Sequence, residues 1–277
     1  MPRRAWRIAR LAVHVGWGVL LAALAFPLFG KARRDRVIRD WSRRLLAILG
    51  VRPDLGTPPA VAGGALLVAN HVSWLDIYLI YAAVPVHFVS KAEVRDWPVA
   101  GWLAEKTGTL FLDRGRRADT ARINAVMHER IRAGAWVAVF PEGTTSDGRG
   151  LKPFRPPLLQ PAVELGCPVV PAAIRYRTLD GRPALAAAYI DDMSLWQSLM
   201  QIAAEPGLIA ELRFGEPIAA SGHRRELAAR AENAVRRLLG ISSADTPPET
   251  PGGRRGEPPS AARPTDSRYP AQPGRGG

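Results

Sequence analysis

A chain of 277 residues with 47% hydrophobic side chains is long enough for one large α/β domain or two small ones, and apolar enough to bury a substantial core. Its single cysteine, Cys167, excludes an internal disulfide and any cysteine-based zinc site, and no metal is expected. The formal net charge is +13, and residues 1–60 carry 12 Lys and Arg against 3 Asp and Glu. A patch of that sign suits nucleic acid or an anionic membrane; the residues beside it decide for the membrane, and no nucleic acid is expected.

Those residues are Leu11 to Gly30, twenty positions without Asp, Glu, Lys or Arg. As a helix rising about 1.5 Å per residue they would nearly cross a hydrocarbon core of about 30 Å. Arg3, Arg4, Arg7 and Arg10 precede the run, Lys31, Arg33, Arg34 and Arg36 follow it, and Trp6 and Trp17 suit an interface. Two basic flanks give no orientation, so a spanning segment, one that dips in and returns, and one lying in a single leaflet all remain open. Gly16, Gly18 and Pro27 permit a bend. Asp40 to Gly50 has the pattern of an amphipathic helix. Residues 1–52 are therefore expected to be membrane-attachment helices. A cleaved signal peptide is the alternative, suggested by Ala23-Leu24-Ala25; the length of the run and the basic residues straight after it argue against that.

Residues 53–241 are expected to form an α/β domain with a largely parallel sheet flanked by helices. Apolar runs at 65–69, 87–90, 109–112, 136–140 and 169–174 predict strands, and they alternate with helical stretches at 74–83, 99–107, 118–132 and 158–165. Farther on, 186–190 and 211–214 predict strands, 194–203 a helix, and 221–239 a helix entered through Ser221. Cys167 lies in an apolar stretch and is expected to be a small buried hydrophobe. Residues 242–277 hold 8 Pro and 6 Gly with few aliphatic side chains, and are expected to be a disordered tail.

The polar residues that stand out follow the predicted strands, where parallel sheets bind ligands. Asn70 and His71 interrupt the run 65–69. Ser73 and Asp76 then have the Ser-x-x-Asp spacing of a helix start, predicting a helix that begins at Ser73. A carboxylate holding one imidazole nitrogen leaves the other free to take a proton from a hydroxyl. Asp76 as a simple helix cap is the competing expectation. After 136–139 comes Phe140-Pro141-Glu142-Gly143-Thr144-Thr145-Ser146, a turn whose glycine admits a close ligand and whose hydroxyls and N–H groups suit an oxyanion. An ordinary strand-terminal turn is the alternative. Gly108 to Leu112 leads into Asp113 and Arg114, and a planar, always-charged guanidinium there suits phosphate or carboxylate, or else an ion pair with Asp113.

Asn70-His71-Val72-Ser73-Trp74-Leu75-Asp76 resembles the His-x4-Asp motif of the glycerolipid acyltransferases, the lysophosphatidate acyltransferase group. Gly108 to Arg114, Phe140 to Thr144, and Val170-Pro171-Ala172-Ala173-Ile174 resemble that family's later blocks, in the same order and spacing. The resemblance implies acyl transfer from a thioester, acyl-CoA or acyl-carrier protein, to the free hydroxyl of a lyso-lipid. No cofactor is implied beyond that co-substrate, and the implied location is a membrane with the catalytic domain on its cytosolic side. His71 is implied as general base and Asp76 as the acid that orients it. Arg114, Glu142, Gly143 and Thr144 are implied around the acceptor head group, with Asn70, Lys91 and Lys152 as weaker candidates. The leading acceptor is 1-acyl-sn-glycerol-3-phosphate, giving phosphatidic acid. Lys152-Pro153-Phe154-Arg155-Pro156-Pro157 departs from the family's Phe-Lys-x-Gly-like segment and resembles relatives that acylate lyso-ornithine lipid, which is the alternative acceptor. A non-catalytic lipid-binding or tethering protein, and an exported hydrolase, are the readings from other classes.

Overall fold

The computed structural model of the chain describes residues 2–113 and 117–241. Arg114 and the tail 242–277 therefore lie outside the described residues. The chain begins with helix α1 (Pro2–Leu20), continues through a wider π-helical turn (Leu21–Ala25) and a 3-10 turn (Phe26–Leu28), and reverses at Gly30 into helix α2 (Lys31–Leu49). The predicted amphipathic helix 40–50 is the second half of α2. Gly50 ends it at φ 78°, where its N–H reaches the carbonyls of Leu46 and Ala47. The two helices are pinned by His14 and Trp41. Their rings stack at 4.7 Å, and each donates to the other's main-chain carbonyl, at 3.0 and 3.2 Å. Gly18 makes room for the indole, because a Cβ there would stand 2.6 Å from Trp41 Nε1.

Among the described residues there are seven strands: β1 (Val51–Leu55), β2 (Ala65–Ala69), β3 (His87–Lys91), β4 (Leu110–Leu112), β5 (Trp136–Val139), β6 (Val169–Thr178) and β7 (Leu208–Phe214). They form one sheet in the order β1-β7-β6-β2-β5-β3-β4. The run from β6 to β4 is parallel; β7 is antiparallel to β6, and β1 is parallel to β7. The expected mostly parallel sheet is thus present with an antiparallel margin. β2 is central and every residue in it is buried. Leu67 and Ala69 face one core with α2 and α3 (Leu75–Ala83), while Leu66 and Val68 face a second with α5 (Arg117–Arg132), α6 (Gln160–Leu165) and α8 (Arg224–Leu239). Burial on both faces is why this strand reads as an unbroken apolar run.

Two expectations need correction here. Residues 186–190 form no strand; a 3-10 turn, Leu185–Ala187, opens the stretch, where three successive alanines supply none of the branched side chains that favour a sheet. The edge beside β7 is formed by β1, which carries Pro53 and exposed side chains, as only an edge strand tolerates. The last helix is entered through His223, whose Nδ1 accepts from the N–H of Arg225, because Gly222 turns the chain first at φ 82°. The helix between β3 and β4 (α4, Ala100–Lys106) and α7 (Leu195–Ala204), the latter closed by a Ser194–Gln197 capping box, stand where expected.

The N-terminal hairpin is built into this domain. Leu45, Leu46, Ile48 and Leu49 of α2 share a core with β2 and α3. The Arg7 guanidinium donates to the carbonyls of Ala203, Glu205 and Pro206 at the end of α7, where helix carbonyls lack partners and the dipole is negative. The residue 52 boundary expected from composition falls inside β1.

Candidate active site

β2, β5, β3 and β4 are adjacent and parallel, so the residues after them gather at one edge of the sheet. Asn70 follows β2 directly. Its amide donates to the carbonyl of Ile174 at 2.9 Å and its oxygen accepts the Ile174 N–H at 2.7 Å, so a side chain continues the β2–β6 ladder while the main chain turns away. Asn70 is buried and its polar atoms are committed to β6.

His71 lies in that turn and Asp76 in the first turn of α3. Asp76 is fully buried. Its Oδ2 accepts from His71 Nδ1 at 2.8 Å and from the N–H groups of Val72 and Ser73 at 2.7 and 3.0 Å; its Oδ1 accepts from the Tyr176 hydroxyl at 2.7 Å. The cap and the His-Asp pair, set against each other from sequence, are one arrangement. The helix starts at Leu75 rather than Ser73, because the carboxylate reaches back over the turn and Ser73 Oγ accepts only the Leu75 N–H. A buried carboxylate with these donors stays acceptor-only, so the shared proton belongs to Nδ1 and Nε2 keeps its lone pair. The imidazole lies flat on Phe140, centroids 4.0 Å apart and planes 8° from parallel, and its side chain is 20% exposed. Among the described residues no side chain takes Nε2.

The loop after β5 clamps the main chain of His71. Glu142 Oε1 accepts its N–H at 2.6 Å, and its carbonyl accepts the Ser146 N–H at 2.8 Å. Glu142 Oε2 accepts the Lys152 N–H at 2.9 Å. Glu142 is buried and its carboxylate is turned inward to the two loops, whereas Gly143 is half-buried and Thr144 exposed. Gly143 holds φ 78°, which admits no side chain without strain. Lys152 Nζ donates to the Thr145 carbonyl at 2.9 Å, and Lys91 is exposed at the end of β3 on the same edge of the sheet. The extended chain near 189 closes the arrangement: the Tyr189 N–H reaches the Val72 carbonyl at 2.9 Å, and its own carbonyl accepts from Thr145 Oγ1.

Sequence reasoning missed Phe140 as a platform, Tyr176, and the Tyr189 main chain. Tyr176 had a signal: it stands between Arg175 and Arg177 on a strand, and that alternation marks the tyrosine as inward-facing. Cys167 is buried and burial pushes its thiol up to about 11, so it is no nucleophile at neutral pH. Among the described residues no group of three or more His, Cys, Asp or Glu is placed to hold a metal ion.

A protein-family model described as Acyltransferase matches residues 52–175. The lyso-ornithine lipid O-acyltransferase of Pseudomonas aeruginosa is 42% identical over 214 residues, covering 77% of this chain and 82% of that protein. The chain belongs to the acyltransferase family. The acyltransferase is also 38% identical over 159 residues to the 1-acyl-sn-glycerol-3-phosphate acyltransferase of Neisseria meningitidis, covering 57% of this chain and 62% of that one. Its fold matches the crystal structure of the 1-acyl-sn-glycerophosphate acyltransferase PlsC from Thermotoga maritima with a TM-score of 0.57 at 21% identity, over 84% of this chain and 96% of that one.

Burial pushes the Glu142 carboxyl up to about 7, against the pull of its two main-chain donors and Lys152. An acid raised in the folded state binds its proton there first, so its contribution to stability is complete below about 4.5 and lost as pH rises through about 7. Glu142→Gln does not titrate. Relative to that variant, the parent protein is expected to lose up to about 3 kcal/mol of unfolding free energy between pH 5 and pH 8. Denaturant titration of both proteins at the two pH values measures it; parallel curves would show that Glu142 titrates normally.

Proposed function

We propose that this acyltransferase is membrane-associated and moves a fatty acyl group from acyl-CoA or acyl-carrier protein to the free hydroxyl of a lyso-lipid. The observation that carries the mechanism is the 2.8 Å bond from His71 Nδ1 to the buried side chain of Asp76. With Nδ1 committed, Nε2 takes the acceptor's hydroxyl proton as its oxygen attacks the thioester carbonyl. The C–S bond then breaks, and the imidazolium gives the proton to the departing thiolate, leaving ester and free thiol. Asp76 stays ionised throughout and stabilises the imidazolium. Gly143 and Thr144 lie beside His71 for the acceptor head group, with Lys91 and Lys152 nearby on the same edge. Arg114 is the anion-binding residue proposed for the end of β4.

General-base assistance is worth about 10²–10⁴-fold. His71→Ala is therefore expected to lose at least about a hundredfold in kcat while remaining folded. Asp76→Asn is expected to lose comparably, because the amide keeps the shape but not the charge. Steady-state kinetics with circular dichroism test both; near-normal turnover of Asp76→Asn sinks the mechanism.

1-Acyl-sn-glycerol-3-phosphate is the acceptor that the motifs imply. Two observations favour lyso-ornithine lipid as a second reading: the longer match to the Pseudomonas enzyme, and the Pro153-Phe154-Arg155 segment. Phe154 is buried, and its N–H is held at 2.9 Å by Glu232 of α8, so this segment has a fixed course. Purified enzyme given one acyl donor and both acceptors side by side is expected to acylate one at least about tenfold faster than the other. Acylation of neither overturns the lyso-lipid assignment.

Attachment is proposed through α1 and the turn that follows. Pro2–Leu28 is long and apolar enough to cross a membrane by length and composition. Trp6, Val13, Trp17, Leu20, Leu24 and Leu28 are exposed at helical spacing, while Arg7 ties the same helix to α7. A helix bound along the domain in this way suits burial in one leaflet, with the basic flanks at the head groups and the domain on the cytosolic side, where thioester donors are made. Charge alone is screened over about 8 Å at physiological salt. Membrane fractions washed in high salt are expected to retain the protein, whereas Trp17→Glu with Leu24→Glu is expected to release it; complete release of the parent protein by salt contradicts embedding.

A further inference from the structure

Asp76 receives four donors, and one of them lies outside every motif discussed above. The Tyr176 hydroxyl, from the far half of β6, donates to Oδ1 at 2.7 Å. Among the described residues it is the sole donor to that oxygen; the imidazole and the two main-chain N–H groups all go to Oδ2. Tyr176 is itself buried and its backbone is fixed on both sides. It pairs with Ala210 of β7, and its carbonyl accepts the Ala184 N–H at 3.0 Å. Two residues earlier on the same strand, Ile174 is held by Asn70. β6 therefore grips the turn 70–76 at both ends, by the amide of Asn70 and by the carboxylate of Asp76.

We infer that Tyr176 is a positioning residue for acyl transfer, holding the Asp76 carboxylate in the plane and at the distance that keep His71 ready to take a proton. This rests on His71 and Asp76 acting as base and orienting acid. A carboxylate has two oxygens that compete for the imidazole. With Oδ1 occupied by the phenol, Oδ2 alone faces the turn, and the carboxylate cannot rotate without leaving an oxygen buried and unpartnered. The phenol is suited to this duty because burial and the neighbouring Asp76 charge push it well above its ordinary value, so it remains an O–H donor at every working pH. Tyr176 touches neither substrate nor His71 in this arrangement; it acts through Asp76.

The test is a double-mutant cycle of Tyr176→Phe and Asp76→Asn, each folded variant assayed for kcat and for KM of acceptor and donor. Tyr176→Phe keeps the ring and removes only the donor. It is expected to lower kcat about tenfold, as loss of one hydrogen bond to a charged group would, with both KM values within about twofold. In the Asp76→Asn background the same change is expected to cost less than about twofold in kcat, because the carboxylate it positions is gone. A tyrosine that serves stability alone would instead lower the melting temperature and leave kcat per folded molecule unchanged in Tyr176→Phe, which overturns the proposal. Should Tyr176→Phe not fold, 4-fluorophenylalanine at position 176 keeps the ring and a para substituent but has no O–H to donate; unchanged kcat there overturns it equally. An inactive Asp76→Asn beside a fully active Tyr176→Phe removes Tyr176 alone, whereas an active Asp76→Asn removes the His71–Asp76 mechanism itself.

Discussion

A fully buried carboxylate must be surrounded by donors, and that requirement organises the functional edge of this protein. Asp76 has no solvent contact, so its charge is supported only by what the chain brings to it. The donors come from three places: the imidazole before it, the main chain of its own turn, and the phenol of β6. Each donor fixes an element. The main-chain N–H groups of Val72 and Ser73 set the turn and delay the helix to Leu75, the imidazole sets His71, and the phenol ties α3 to the sheet. Capping the helix start and holding the imidazole need not compete; here one oxygen accepts from both sets of donors.

The second support is the clamp between the turn after β2 and the loop after β5. These strands are adjacent and parallel, so their following residues meet without a long connection. Glu142 receives the N–H of His71 on one oxygen and that of Lys152 on the other, the Ser146 N–H donates to the His71 carbonyl, and Phe140 lies under the imidazole. The main chain of His71 is therefore bonded on both sides and its ring is backed on one face. In the proposed mechanism a base held in this way loses little freedom on meeting substrate, which lowers the entropic part of the barrier. With Glu142 turned inward, Gly143 and Thr144 are the part of the same loop proposed to meet the acceptor.

The part proposed to face the membrane is not an appendage. α2 contributes four leucine and isoleucine side chains to the core beneath β2, and Arg7 of α1 closes the carbonyl end of α7. Gly50 is the hinge of this arrangement. A Cβ there would lie 1.9 Å from the Arg7 guanidinium, and its φ of 78° is disfavoured for any other residue. The helices proposed to meet the lipid are thus coupled to the sheet that carries His71, and the outward stripe from Trp6 to Leu28 is what remains after the inward faces have been used.

Local pattern alone was enough for the α/β class, the parallel strands, the His71–Asp76 pair and the acyltransferase resemblance. Strands such as 65–69 are buried on both faces and carry their signal in consecutive apolar residues, and the His-x4-Asp spacing is short enough for one turn to close. The parts it did not reach depend on partners distant in the chain. β1 has a proline and exposed side chains, and becomes a strand only because β7, more than 150 residues on, offers it an edge. Residues 186–190 look like a strand but find no sheet position, and instead bring the Tyr189 main chain to the turn at Val72. Glu142 carries the same motif whether it faces ligand or protein; its two bonds across 71 and 10 residues decide for protein. Tyr176 lies 100 residues from Asp76, and a hydrogen bond over that separation exists only once the β2–β6 ladder has set the distance.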